Sequence, residues 1–228
     1  MLHGLGDPAV IEQTCGEIRS LGVRVEFSGA DLRDAEAATG LITETVEKFG
    51  RIDILVNNAG VQHTSPVEAF PADKWELLLS VNLSAAFYTS KAAVPFMRRQ
   101  AFGRIVNIAS VHGLVASVHK AAYVAAKFGL VGLTKVIALE TAQEPITCNA
   151  LCPGFVRTAL IENQITAKAE MEGVSQEEGA RLLLKDKQPS QEFVMPDQVA
   201  DTVMFLCSDA AQQMTGVALP LDGGWTAQ

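Results

Sequence analysis

The chain has 228 residues, of which 48% are hydrophobic and 19% charged, and its formal net charge is −8. That length fits one α/β domain with a substantial core. No uninterrupted apolar run approaches the ~20 residues that span a bilayer, no basic-then-apolar leader opens the chain, and the acidic balance leaves no basic stripe for nucleic acid.

In chain order, apolar β-rich runs alternate with helical patterns. Val23–Phe27, Ile52–Val56, Arg104–Ile108, Ile146–Leu151 and a short last run, Val217–Leu219, read as strands, the longer ones as buried parallel strands. Amphipathic segments over about Asp34–Phe49, Asp73–Gln100 and Ala121–Thr141 separate them and are long enough to be crossover helices. Residues 157–195 hold polar, helical material that is either a substrate lid or a solvated excursion, and Pro196 suits the first turn of a further helix. The pattern predicts a single doubly wound α/β domain whose ligands sit at the carboxyl ends of the strands.

Four cysteines, Cys15, Cys148, Cys152 and Cys207, lie apart without C-x-x-C pairs or nearby histidines, so they read as reduced, mostly buried thiols, and no metal site is expected.

Chemistry concentrates at the strand ends. Tyr123 and Lys127 are four residues apart in the third helix and so share one face, with Ser110 at the preceding strand end. A phenol titrates near pH ~10, and a neighbouring ammonium favours its ionised form, which makes it a usable base for an alcohol losing hydride. Tyr-x-x-x-Lys alone is common on solvated helices. Here it is joined by Asn57-Asn58-Ala59-Gly60 after one strand, Asn82 in the next helix, and Pro153-Gly154 after a later strand.

These residues together resemble the short-chain dehydrogenase/reductase family, and the likeness runs on to Asp222-Gly223-Gly224. The resemblance implies a doubly wound sheet of the Rossmann kind and a catalytic set of Asn82, Ser110, Tyr123 and Lys127. It implies that Asn82 holds a water for a proton relay, that Lys127 binds the nicotinamide ribose, and that Asn58, Ala59 and Gly60 line the adenosine side. Asp31 and Leu32 would contact adenine, and Pro153, Gly154 and Val156 would flank the nicotinamide. A homotetramer in the cytoplasm is the further implication.

Gln62, His112, Lys120, Gln164 and Trp225 resemble residues of those family members that act on (R)-3-hydroxybutyrate, where the first four hold the substrate carboxylate. An ammonium and several donors beside the tyrosine would orient a small anionic hydroxy acid through charge-assisted hydrogen bonds. Each has a plainer reading: a backbone-satisfied histidine, a solvated lysine, ordinary surface glutamines. Phe155 departs from the tryptophan expected of the close relatives and leaves more room. Other readings are a reductase of 3-oxoacyl thioesters or sugar alcohols, for which Lys120 and His112 would face solvent, and an inactive interaction module.

The family's opening strand and Thr-Gly-x-x-x-Gly-x-Gly turn, whose amides hold the cofactor diphosphate, have no counterpart in this sequence. Roughly thirty residues of the pattern are unmatched, so the sheet should show unpaired edges and residues 1–228 should bind cofactor weakly. Where the family's NADP users place arginine or lysine, His3-Gly4-Leu5-Gly6-Asp7 offers neither, which favours NAD.

Overall fold

The computed structural model describes residues 1–185 and 187–227; Asp186, within the expected lid, lies outside the described residues. Four parallel strands form the main sheet in the order β3 (Ile54–Asn57), β4 (Gly103–Ile108), β5 (Ile146–Pro153), β6 (Ala218–Leu221). Strand β1 (Leu2–His3) pairs in parallel with β2 (Phe27–Ser28) as a separate two-stranded ribbon. The expected strand at Val23–Phe27 thus shrinks to its last residue plus Ser28, because β1 offers only two rungs to pair with.

Eight α-helices lie among the described residues. Helix α1 (Pro8–Ser20) is not expected from the apolar pattern; Asp7 caps it by accepting from the Ala9 amide at 2.7 Å, with Pro8 in the first turn. Helix α2 (Ala35–Phe49) starts at Asp34, whose carboxylate takes the Ala37 amide, and stops at Gly50 in the left-handed conformation. The long expected helix is two, α3 (Ala72–Leu79) and α4 (Ala85–Arg99), joined without a loop by a π-helical turn at Ser80–Ser84. Helix α5 (Ala121–Glu140) follows as expected, then α6 (Ala159–Glu172) and α7 (Gln176–Lys185), which pack on each other, and α8 (Pro196–Cys207). By composition alone the stretches Ala72–Arg99 and Ala121–Glu140 are apolar enough to cross a membrane; in this fold α4 covers β3 and β4, and α5 covers β5.

The core lies between sheet and helices. Ile42, Ile52, Met97, Ile105, Ile137 and Ile146 form one buried cluster, and Ala86, Leu130, Val131, Ala150 and Cys152 another nearer the strand ends. Strand β5 is buried along its whole length, so it reads as a largely apolar run in which the buried Thr147 and Asn149 are the polar exceptions. Strand β3 is different: it edges the four-stranded sheet, and Ile54 and Val56 are 46% and 40% exposed. A buried polar ladder locks the strand ends together. The Asn57 amide donates to Asn107 Oδ1 at 2.8 Å and its carbonyl accepts from Thr89 at 2.7 Å, while Asn107 donates to Thr134 at 2.9 Å. Satisfied networks of this kind fix register and orient the loops that leave the strands.

Candidate active site

Four strand ends converge on one cavity of about 350 Å3. After β3 comes Asn58 to Gln62, after β4 Ser110 to His112, after β5 Pro153 to Val156, and after β6 Trp225. Helix α5 adds Tyr123 and Lys127, its N-cap residue Lys120 joins them, and α6 supplies Leu160, Ile161 and Gln164. The structure therefore gathers every sequence-predicted substrate residue: Gln62, Ser110, His112, Lys120, Tyr123, Gln164 and Trp225. His112 is buried, and Lys120 is half-buried and lines the cavity.

Lys127 is 3% exposed, and its ammonium donates to the Ile108 carbonyl at 2.8 Å while lying 5.6 Å from the Tyr123 ring centre. Burial in apolar surroundings disfavours the charged form and pulls this lysine down to about 8 from the usual 10.5. The same burial pushes the Tyr123 phenol up, opposed by a hydrogen bond with Ser110. The direction is opposite to the acidification expected from Lys127, because burial is the largest influence on this phenol and only the Ser110 hydrogen bond works against it. Ser110 also accepts from the His112 amide at 3.2 Å, which starts a short 3-10 turn over Val111–Gly113. That turn packs flush on α5, and a Cβ at Gly113 would lie 2.9 Å from the Lys127 carbonyl oxygen.

Asn82 sits in the π-helical turn, a feature that recurs at functional sites because it redirects a side chain out of helical register. Its amide grips the Val61 backbone from both sides, accepting from the N–H at 3.0 Å and donating to the carbonyl at 2.9 Å. Gly60 is wedged between this amide and Lys127: an added Cβ would meet Asn82 Oδ1 at 2.9 Å and Lys127 Nζ at 3.9 Å. Asn82 therefore holds the turn that borders the cavity and is not part of the lining itself.

His112 is buried and packs edge-on to Trp225 at 5.5 Å and to Tyr123 at 6.0 Å. Burial first, then the Lys120 and Lys187 ammoniums, hold it down to about 4, so it is a neutral imidazole at pH 7. Its Nδ1 is buried with no hydrogen-bond partner among the described residues. Lys120 lies 6.0 Å from the Tyr123 ring centre, and burial and Lys187 lower it as well. The residue before it, His119, has φ +64°, a strained backbone for a non-glycine residue, and its carbonyl accepts from the Ser65 amide at 2.9 Å. Gln164 reaches across to Gln62 at 3.5 Å, and Phe155 stacks obliquely on Trp225 at 5.0 Å.

Of the residues assigned to the cofactor, Asn58, Gly60, Tyr123, Lys127, Pro153, Gly154 and Val156 line the cavity. Asp31, Leu32 and Ala59 do not. Asp31 is held instead by the Arg33 side chain, which bonds it at 2.9 Å and keeps its carboxyl down to about 2. Sequence reasoning does not single out the Ile108 carbonyl that fixes Lys127, the Val61 backbone that Asn82 grips, or the apolar pair Leu160 and Ile161. The first two are backbone groups with no sequence signature.

A family model described as "Enoyl-(Acyl carrier protein) reductase" matches residues 6–226. The chain is 45% identical over 228 residues to the D-beta-hydroxybutyrate dehydrogenase of Cupriavidus necator, covering all of this chain and 88% of that one. This protein belongs to the short-chain dehydrogenase/reductase family. A second D-beta-hydroxybutyrate dehydrogenase, from Rhizobium meliloti, is 42% identical, with 100% of this chain and 89% of that one aligned. Among solved structures, this short-chain dehydrogenase resembles an actinorhodin polyketide ketoreductase crystallised with NADPH, with a TM-score of 0.89 and 32% identity over 97% of this chain and 85% of that one. Levodione reductase gives a TM-score of 0.89 at 30% identity, covering 99% of this chain and 87% of that one. The fold and the family are thus settled, and the protein is an oxidoreductase.

Proposed function

We propose that this short-chain dehydrogenase interconverts (R)-3-hydroxybutyrate and acetoacetate with NAD, using Asn82, Ser110, Tyr123 and Lys127 as its catalytic set. One observation carries the reading: Lys120, neutral His112, Gln62 and Gln164 meet Tyr123 in a cavity whose lining holds no carboxylate among the described residues. A carboxylate there gains one nearby ammonium and several neutral donors, His112 among them, and such charge-assisted bonds are the strong ones. The names of the relatives from C. necator and R. meliloti support the same substrate. Trp225 and Phe155 form the apolar end that suits a methyl group.

The residues present fit the nicotinamide half of the cofactor, because Pro153, Gly154 and Val156 line the cavity together with Tyr123 and Lys127. When bound, NAD supplies the acceptor for the hydride leaving the substrate's C3. The absence of arginine and lysine directly after β1 supports NAD over NADP.

Ser110 hydrogen-bonds the reacting oxygen, and the Tyr123 hydroxyl exchanges the proton with it. With its phenol held neutral, Tyr123 is set as a proton donor for reduction; oxidation requires the phenolate and so speeds up as pH rises. Lys127 steadies that phenolate when it forms. Asn82 positions Gly60 and Val61 at the cavity edge. Residues 157–195 act as a lid, with Gln164 carrying its contact to Gln62. Exposed Trp75, Phe87, Phe128 and Leu139 on α3, α4 and α5 support self-association, for which we propose the homotetramer that the resemblance implies, and four free cysteines fit a reducing, cytoplasmic setting.

The test is a substrate panel on the full-length protein: (R)-3-hydroxybutyrate, its mirror image, its methyl ester and a 3-hydroxybutyryl thioester, each with NAD and NADP. The free (R)-acid with NAD should lead in kcat/KM by at least about tenfold. A preference for the thioester would instead make the protein a 3-oxoacyl reductase.

A further inference from the structure

The cavity has a cationic neighbour that no motif marks. Lys187, just beyond α7, places its ammonium 5.9 Å from the Trp225 ring centre. Trp225 lines the cavity and meets His112 edge-on, so the indole stands between this cation and the substrate space. The position is built: the Lys187 amide donates to the Leu184 carbonyl at 3.0 Å, and the next residue, Gln188, is fully buried. Gln188 accepts from the Phe155 amide at 3.0 Å and donates to the Glu192 carbonyl, which ties this loop to the β5 end of the site. Asp222, three residues before Trp225, is used in capping the Gly224 and Thr226 amides.

We propose that Lys187 is a further cation beside the substrate pocket, acting with Lys120 to select a free carboxylate over a neutral ester or thioester. The inference rests on the reading of the ligand as a short hydroxy acid. Lys187 is exposed, so water screens its outer side, but on the cavity side its neighbour is the buried Trp225 indole, which offers little screening in that direction. The field is felt at both groups that face the substrate: after burial, Lys187 contributes to lowering His112 and Lys120. Two ammoniums held near each other without an anion repel, and an arriving carboxylate relieves that repulsion. A neutral ester gives no such relief.

The experiment compares wild type with Lys187→Gln, Lys187→Glu and Lys187→Arg in steady-state oxidation of (R)-3-hydroxybutyrate and of its methyl ester at saturating cofactor. Lys187→Gln should raise KM for the acid about five- to tenfold, the effect of one unit charge at intermediate effective dielectric. Under that change kcat should stay within about twofold. Lys187→Glu should raise KM further, Lys187→Arg should restore it, and the ester's KM should not move. An unchanged KM for the acid in Lys187→Gln, or an equal loss for acid and ester, would overturn the role of Lys187. Wild type that fails to oxidise the acid while oxidising the thioester would overturn the substrate reading itself, and the Lys187 proposal with it.

Discussion

Replacing Lys127 by methionine should abolish turnover and yet leave the fold at least as stable at neutral pH. The ammonium is 3% exposed, and its titration falls from 10.5 to about 8 mainly through burial. Each unit of displacement is worth ~1.4 kcal/mol, so holding the charge in the folded state costs about 3 kcal/mol at pH 7. Methionine has similar length and no charge, so that cost disappears. Against this, the Ile108 carbonyl loses its 2.8 Å donor, a loss of about 1–3 kcal/mol. The two nearly offset at pH 7, with a net gain of about 1 kcal/mol, or roughly 2–4 °C in Tm, at the middle of the range. The sign with pH is the sharper test. The folded protein binds this proton less tightly than the unfolded chain, so the cost is fully present below about 8 and fades as pH rises toward 10.5. Urea melts of wild type and Lys127→Met at pH 7 and pH 10 should therefore show wild type gaining about 2–3 kcal/mol relative to the variant. A stability difference that does not change between those two pH values would refute the reasoning, whatever its size.

His112 predicts acid sensitivity in the same way: its proton affinity falls from 6.5 to about 4, so stability present above 6.5 should drain away as pH drops toward 4, and His112→Gln should flatten that part of a pH melt series. Lys120→Gln should raise KM for (R)-3-hydroxybutyrate at least about tenfold in steady-state assays, because it removes the cavity-lining ammonium that stands with His112, Gln62 and Gln164 as the proposed carboxylate partners and leaves that end to neutral donors. Phe87→Glu with Phe128→Glu should lower the mass seen in sedimentation equilibrium, since both rings are 45% exposed on α4 and α5; an unchanged mass would place the subunit contact elsewhere.

Much of this site is legible in the sequence, and the reason is local geometry. Tyr123 and Lys127 share a helix face by spacing alone, and the four strand-end segments must meet because parallel strands all present their carboxyl ends on one side. Buried β4 and β5 announce themselves as short runs rich in apolar and β-branched residues. Helix α1 escapes such a reading because its apolar residues barely reach the core: only Cys15 is buried and Val10 is 61% exposed, so no amphipathic stripe is written into it. The direction of the Tyr123 shift is hidden for a different reason. Spacing reports that a cation is near, whereas the burial of the phenol, which decides the sign, depends on residues from several other segments. Lys187 is more remote still, since it enters through a loop anchored by Gln188 and meets the cavity lining at Trp225.

The central claim is that the Tyr123 hydroxyl handles the proton of an alcohol whose carboxylate is gripped alongside. Tyr123→Phe removes only that hydroxyl, and initial-rate NADH formation from (R)-3-hydroxybutyrate by the full-length protein measures its worth. The predicted result is a fall in kcat of about 10²- to 10⁴-fold with KM little changed. A variant that still oxidises the acid at the wild-type rate would contradict it.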